Sequence, residues 1–229
     1  MNTRAGNPAP TPHLLGAEPE GRADAYVLIL HGGKPRSERT YLPLANASLL
    51  RMLPFDREIR DRIREHPGAR GLSIGTQLLQ YRYRGWNEPR RDSAKDAVWA
   101  VDEIRERHGK DIPIAILGHS MGGRAGAHLV EQRPDNVRSF FALAPWWPDL
   151  DGLRMKAAAP TLRVLHGSVD PITSARDSRR QTEHLAEAGL DAEWFAVPSA
   201  GHFMFRQPSL WQELSCTWIV DSAVSLARA

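Results

Sequence analysis

A serine flanked by glycines follows an apolar run at residues 114–126, which read IAILGHSMGGRAG. Residues 118–122 fit the pattern G-x-S-x-G, in which the serine occupies a sharp turn between a strand and a helix. A serine hydroxyl is a weak nucleophile, so chemistry at Ser120 needs a nearby base and donors for an oxyanion. The alternatives for such a turn are tight packing and phosphate binding at a helix N-terminus. Since neither G-x-G-x-x-G nor a Walker lysine is present, the pattern favours a nucleophile.

An acid and a base that could serve Ser120 occur later in the chain. Asp170 lies in VLHGSVDPIT, just after a predicted strand, and His202 lies in PSAGHFMF, after the next one. Taken singly, a loop histidine or an aspartate at a helix start is most often a surface or capping residue. The order serine, aspartate, histidine at three successive strand ends instead argues against coincidence. Asp177 is the alternative acid, but it falls inside the following predicted helix.

Short apolar runs alternate with longer amphipathic segments, which is typical of parallel strands joined by crossover helices. Right-handed crossovers place the C-terminal ends of such strands at one edge of the sheet. We therefore expect Ser120, Asp170 and His202 to converge at that edge. The predicted strands cover residues 25–30, 77–83, 112–117, 137–144, 161–167 and 192–198.

The predicted helices lie between these strands. Residues 41–66 predict two helical pieces, with Pro54 dividing or bending them. Ser93 and Asp96 resemble a capping box that opens a helix ending near Gly109. Further helices are predicted at residues 120–132, at residues 173–188 with Thr173 as the cap, and from about residue 209 to the end.

The composition predicts one soluble domain. The chain has 229 residues, 41% of them hydrophobic and 25% charged, and no apolar run approaches the roughly 20 residues that span a bilayer. We expect a flexible tail at residues 1–20, without a cleaved secretory signal, and a single domain at residues 21–229. Cys216 is the one cysteine, so an intrachain disulfide is excluded, and a cytoplasmic location is expected.

The distribution of charge and the absence of metal-ligand patterns limit the kinds of partner that this chain is expected to bind. The formal net charge is +3, but the arginines are spread along the chain, which favours a solvated surface over nucleic-acid binding. Asp149 and Asp151 have no histidine or cysteine at metal-ligand spacing, so no metal site is predicted. Nor is any cofactor expected.

The motifs GHSMGG, HGSVD and AGHFMF, with LILHGGKP after the first strand, resemble those of the α/β-hydrolase superfamily over about residues 25 to 225. The resemblance implies the α/β-hydrolase fold, a mostly parallel central sheet with helices on both faces. Only about residues 145–160 separate the two strands between which a lid is commonly inserted, so no large cap domain is expected. The resemblance also implies that Ser120 attacks an acyl carbon, His202 accepts its proton, and Asp170 orients the imidazole.

The same resemblance implies an oxyanion hole built from backbone N–H groups of Met121 and Gly33. Gly32 is the alternative if the loop register differs by one residue. The segment HGGK lacks the third glycine of the HGGG motif, which argues against that group of lipases. We expect a hydrogen-bonding role in the loop for His31. His119 and His166 are expected to be structural.

Aromatic and basic residues near the strand ends are candidates for the substrate pocket. The proposed lining, in addition to Met204, consists of Lys34, Tyr83, Trp86, Trp146, Trp147 and Phe203. Seven basic residues could steer an anionic substrate group towards the site, the alternative being charges that simply face solvent. They are Lys34, Arg36, Arg39, Arg82, Arg84, Arg90 and Arg91.

These features predict a serine hydrolase that cleaves carboxylic esters of small to medium size through an acyl-enzyme. The partner is then a small-molecule acyl substrate. A thioesterase or a lactone or dienelactone hydrolase would use the same groups, whereas epoxide hydrolases and dehalogenases of this superfamily use an aspartate where Ser120 stands. A different class is a non-hydrolytic binding module built on the same fold. The oligomeric state stays open.

Overall fold

A computed structural model describes residues 10–40 and 46–229. Within them, seven strands form one sheet in the order β1-β3-β2-β4-β5-β6-β7. Strand β1 is antiparallel to β3, and all other neighbours are parallel. The strands are β1 (His13–Leu15), β2 (Ala25–Leu30), β3 (Ile74–Gln80), β4 (Ile114–His119), β5 (Val137–Leu143), β6 (Thr161–Gly167) and β7 (Ala192–Val197).

Helices cover both faces of this sheet because its central strands are apolar on both sides. In β2, Leu28 packs in one core cluster and Ile29 in another, as expected for alternate side chains of a strand. The first cluster includes Val101 and Leu185 from two helices, and the second includes Trp211. The helices are α1 (Ala47–Leu50), α2 (Leu53–Glu65), α3 (Asp92–His108), α4 (Met121–Gln132), α5 (Ala175–Glu187) and α6 (Pro208–Arg228). The predicted fold class is confirmed.

Strand β3 is shifted from the prediction, which was residues 77–83. It runs from Ile74 to Gln80 because Ile74 pairs with Ala25 at the start of β2. After Gln80 the backbone leaves the sheet, and the N–H of Arg82 donates to Asp96 Oδ2 at 2.8 Å. The tyrosine and arginine residues assigned to this strand therefore belong to a loop.

The predicted capping box of α3 is wrong. The helix begins at Asp92, after Arg91 with left-handed backbone angles, so Ser93 already lies inside the helix. Asp96 is buried and binds the Arg82 guanidinium, with 2.5 Å between Oδ1 and Nε. An ion pair to the loop after β3 thus replaces the local cap that the sequence suggested.

The two helices predicted within residues 41–66 are present as α1 and α2. Residues 41–45 of this segment lie outside the described residues. Pro54 is in the first turn of α2 rather than between the helices, because the first turn tolerates a missing N–H. Helix α5 begins at Ala175 and is capped by Ser174, not by Thr173.

The predicted flexible tail is wrong for part of its length. Residues 1–9 lie outside the described residues, but His13–Leu15 pair with Leu78–Gln80 as an edge strand. Glu18 accepts a hydrogen bond from Gln77 Nε2 at 2.9 Å. These contacts attach residues 13–18 to the sheet.

The segment between β5 and β6 holds turns of 3₁₀ helix at Pro148–Lys156 and forms no large cap, as predicted. No helix among the described residues is long and apolar enough to cross a bilayer.

Candidate active site

The site lies where the strand order changes direction. From β2 the chain crosses to β3 on one side and then to β4 on the other, so the loops after β2 and β4 diverge at the C-terminal edge and leave a crevice. Ser120 follows β4, and Asp170 and His202 follow β6 and β7 at the same edge. The structure therefore brings together the three residues that the sequence predicted to converge.

Ser120 occupies a strained turn between β4 and α4. Its φ of 56° and ψ of −115° are unfavourable for a residue with a side chain. The N–H of Ser120 donates to the carbonyl of Leu143 at 3.0 Å, which holds the turn against β5. A Cβ on Gly122 would collide with the carbonyl oxygen of Leu30, and one on Gly118 would come within 2.7 Å of the Gly122 carbonyl. Glycine is required on both sides of the serine because backbone passes there.

We expect Gly122→Ala to destabilise the fold by more than 1 kcal/mol, roughly the cost of overpacking, since the colliding atoms belong to backbone that cannot rotate away. Urea denaturation measures this loss. Gly201→Ala is the matched control, since its added methyl meets nothing within 4 Å. Equal unfolding free energies for the two variants would contradict the prediction.

A chain of hydrogen bonds joins the three side chains. His202 Nε2 lies 2.8 Å from Ser120 Oγ, and His202 Nδ1 lies 2.8 Å from Asp170 Oδ2. Because a carboxylate only accepts hydrogen bonds, Nδ1 carries the proton and Nε2 accepts from the serine hydroxyl. His202 is 4% exposed and the Asp170 side chain is fully buried. With this tautomer, the serine hydroxyl points its proton at Nε2 of His202.

Besides His202, several other groups bind the Asp170 carboxylate. Oδ1 accepts from the N–H groups of Ile172 at 2.7 Å and Thr173 at 3.0 Å. Oδ2 accepts from the Thr173 hydroxyl at 2.9 Å and lies 3.2 Å from Nε2 of the buried His166. Burial raises the pKa of Asp170, but the hydrogen bonds from His166, His202 and the two N–H groups outweigh it and leave the pKa well below its usual range. Asp170 therefore stays ionised.

Thr173 and His166 were not predicted to support the site. The sequence analysis treated Thr173 as a helix cap and His166 as structural, whereas both contact Asp170. Thr173 Oγ1 also lies 3.1 Å from His202 Nδ1. A threonine three residues after an aspartate at a strand end is the signal for such a turn. For His166 no local signal exists, because its position depends on how α5 packs.

The alternative acid, Asp177, does not replace Asp170. It lies in the first turn of α5, where its N–H donates to Ser174 Oγ at 3.1 Å. Its carboxylate forms an ion pair with Arg180 at 3.4 Å.

Two further histidines near the serine are buried and neutral. His31 Nδ1 lies 2.6 Å from the Gly32 carbonyl, so it has the loop role that was predicted. His119 Nε2 lies 3.0 Å from the carbonyl oxygen of His202 and helps to position that residue. Burial lowers the pKa of His31 to about 4, and burial with the neighbouring His202 lowers that of His119 to about 3.

These two histidines should make the fold sensitive to acid. When pH falls from about 6.5 towards 4, the unfolded chain binds protons at these positions that the folded chain does not, so the free energy of unfolding falls. Urea denaturation between pH 7 and pH 4.5 measures this slope. His31→Gln should make it shallower, whereas His184→Gln, at an exposed position, should not. The same slope in wild type and His31→Gln would contradict the assignment.

Of the two predicted oxyanion donors, Met121 directly follows Ser120, and Gly33 lies against the Met121 side chain. A Cβ on Gly33 would collide with the Met121 side chain, and a Cβ on Gly32 would lie 3.3 Å from Ser120 Cβ. Among the described residues, no acceptor takes the backbone N–H of Gly33 or of Met121. Met121 is also the first residue of α4, where the helix dipole favours negative charge.

The predicted pocket lining is only partly available to a ligand. Trp86 and Trp147 are 1% and 4% exposed, so these two predicted lining residues offer little surface to a ligand. Trp86 stacks on Arg124, with 4.3 Å from its ring centroid to Cζ, and Trp147 Nε1 donates to the Gly123 carbonyl at 2.9 Å. Both rings pack in the core because α4 and the loop after β5 cover them.

The other predicted lining residues keep some surface. Tyr83 and Trp146 are half-buried, and Lys34 is exposed. Phe203 is 45% exposed, with its ring centroid 5.4 Å from that of His202, whereas Met204 is buried.

Ion pairs neutralise three of the seven residues of the basic cluster. Isolated β-bridges of the backbone join Lys34 to Gly85 and Thr40 to Tyr83. The loop after β2 and the loop after β3 therefore contact each other. Arg82 pairs with Asp96, Arg90 with Glu38 and Asp92, and Arg91 with Glu88. In residues 10–40 and 46–229, Lys34, Arg36 and Arg39 form no ion pair and are exposed. The steering hypothesis therefore depends on these three.

An apolar groove of about 400 Å³ opens beside Phe203, the residue that follows His202. It was not predicted. Its lining includes Leu50, Arg51, Pro54, Phe203, Phe205 and Gln212, and we name it the Arg51 groove. A larger cavity, of about 740 Å³, lies at the N-terminal ends of the strands, beside Asp24 and Pro113, and is therefore far from Ser120.

Asp149 and Asp151 do not form a carboxylate pair for a metal. Asp151 is buried and binds Arg124 at 2.6 Å and His128 at 3.0 Å, while Asp149 is exposed. Within the described residues, no group of three or more histidine, cysteine, aspartate or glutamate residues could hold a metal ion.

Comparison with known proteins gives one family model, described as the alpha/beta hydrolase fold, at residues 78–160. This match contains Ser120 but ends before Asp170 and His202. A curated relative, lipase LipV of Mycobacterium tuberculosis, is 27% identical over 153 residues. The match covers 58% of this chain, and the chain spans only 58% of the length of that lipase.

Solved structures resemble most of the chain. An α/β serine hydrolase homologue from Coxiella burnetii has a TM-score of 0.62 at 17% identity and covers 93% of both chains. Esterase 2 from Thermogutta terrifontis, in a structure phosphoramylated by tabun, has a TM-score of 0.61 at 15% identity, covering 96% of this chain and 98% of its own. At such identities the likeness shows the fold alone, so the chain has the α/β-hydrolase fold.

Proposed function

We propose that this α/β-hydrolase-fold protein is a serine hydrolase that cleaves carboxylic esters of small to medium size through an acyl-enzyme. The observation that carries the proposal is the pair of 2.8 Å contacts that His202 makes with Ser120 Oγ and Asp170 Oδ2. A hydroxyl, a neutral base and an ionised carboxylate in this order make a serine reactive at neutral pH.

In this mechanism Ser120 Oγ attacks the ester carbonyl carbon while His202 Nε2 takes the hydroxyl proton. Asp170 keeps the imidazole in the reactive tautomer and stabilises its charged form. The N–H groups of Gly33 and Met121 are proposed to bind the oxyanion. His202 then gives its proton to the leaving alcohol, and the C–O bond to that alcohol breaks. Water activated by His202 releases the acid and restores Ser120.

The test is covalent labelling by a fluorophosphonate probe, which reacts with activated serines. We expect wild type and Ser225→Ala, a substitution at an exposed serine on α6, to be labelled equally. Ser120→Ala should not be labelled. Absence of labelling in folded wild type would reject the proposal and favour a non-hydrolytic binding module.

The surface around the site supports an acyl substrate with apolar parts. Val169 and Ile172, on either side of Asp170, are 60% and 59% exposed, and Phe203 and Phe205 beside His202 are 45% and 76% exposed. Large exposed apolar side chains gathered at one place commonly mark a binding site.

Thioesters and lactones are the runner-up substrates, because leaving-group preference depends on the pocket rather than on the three polar groups. A panel of esters, thioesters and lactones with the same acyl group ranks these options by kcat/KM. A cytoplasmic location stays a prediction.

A further inference from the structure

Arg51 differs from the other arginines that lie over aromatic rings in the described residues, because those arginines also pair with a carboxylate and Arg51 does not. The Cζ atom is 4.9 Å from the centroid of the Phe203 ring and 5.4 Å from that of Phe205. Phe203 and Phe205 belong to the loop after β7, and Arg51 follows α1, so the cation joins two walls of the Arg51 groove.

No anion balances this cation in the described residues. No carboxylate there forms an ion pair with Arg51, and its buried Nε has no hydrogen-bond partner. Burial lowers the pKa of Arg51 from its ordinary value, which reflects the loss of water around the charge. A partly buried charge without a partner is unfavourable, and a ligand anion would remove that cost.

The groove adjoins the reaction centre. Phe203 directly follows His202, and the two rings meet edge to face with their centroids 5.4 Å apart. The charge of Arg51 also acts on His119, the neighbour of Ser120, although burial and His202 lower the pKa of His119 more. A substrate acyl chain that leaves Ser120 past Phe203 therefore runs towards Arg51.

We propose that the Arg51 groove selects esters whose apolar acyl chain ends in an anionic group. The groove binds the methylene chain between Phe203, Phe205 and Leu50, and Arg51 binds the terminal carboxylate or phosphate with its N–H donors. The substrate class is then a monoester of a dicarboxylic acid, or an ester whose acyl chain carries a phosphate. This inference rests on the proposed function.

The test compares two p-nitrophenyl esters of the same chain length, the neutral valerate and the glutarate monoester, by kcat/KM. We expect wild type to favour the charged ester, and Arg51→Gln to lower the charged-to-neutral ratio by about tenfold or more, as expected for loss of a charge-assisted hydrogen bond. Arg51→Lys should keep part of the preference. A succinate, adipate and suberate series locates the best length, and an ester ending in a phosphonate distinguishes the two anions.

Arg138→Gln is the matched control, since Arg138 is exposed, forms no ion pair among the described residues and lies near the start of β5, at the edge of the sheet opposite Ser120. Its ratio should equal that of wild type. An unchanged ratio in Arg51→Gln would overturn the inference, and so would an equal loss for both esters, which would mean that Arg51 only supports the loop. Failure of folded wild type to hydrolyse either ester or to react at Ser120 would instead reject the proposed function.

Discussion

Replacing His202 by alanine should lower kcat for ester hydrolysis by about 10⁶-fold, because the serine then has no base. His202 Nε2 is 2.8 Å from Ser120 Oγ. The three groups act as a unit, so this loss should nearly equal that of removing Ser120 and His202 together. Steady-state hydrolysis of a p-nitrophenyl ester measures it, with circular dichroism to verify folding.

His184→Ala is the control for this prediction, since His184 is an exposed histidine of α5. It should keep wild-type kcat. A folded His202→Ala protein within about tenfold of wild type would show that another group accepts the proton, which the general-base mechanism does not allow.

Asp170→Asn should lower kcat by about 10⁴-fold while leaving the fold intact. An amide in place of Oδ2 can donate to His202 Nδ1, which favours the tautomer with the proton on Nε2, where it cannot accept from Ser120. Oδ1 would still accept from the N–H groups of Ile172 and Thr173, so the loop after β6 should keep its shape. The measurement is kcat across pH, together with urea denaturation.

Asp177→Asn is the control for Asp170→Asn, because it makes the same chemical change at the alternative acid. Its carboxylate pairs with Arg180, and its loss should leave kcat unchanged. If Asp177→Asn lost activity and Asp170→Asn did not, the acid would have been assigned to the wrong residue.

Local sequence patterns were sufficient to predict those strands, helices and turns that their own residues specify. The strand and helix around Ser120 were predicted because an apolar run, a glycine turn and an amphipathic segment follow one another at residues 114–132. Asp170 and His202 were placed at the same edge because parallel strands end together. For these positions, backbone geometry and topology follow from short-range sequence.

Tertiary packing decided the rest. Asp96 looked like part of a cap, yet it pairs with Arg82 from the loop after β3. Trp86 and Trp147 looked like pocket walls, yet contacts with α4 bury them. Side-chain burial depends on residues far apart in sequence, and a single sequence does not specify those distances.

The sequence by itself determined the order of the elements, the strained serine turn and the groups that could do chemistry. Only the tertiary structure decided which groups support them: His166 and Thr173 on Asp170, and Arg51 between Phe203 and Phe205. The physical reason is that a turn needs particular backbone angles, which local residue types control. Contacts across the sheet edge depend instead on where whole helices and loops pack.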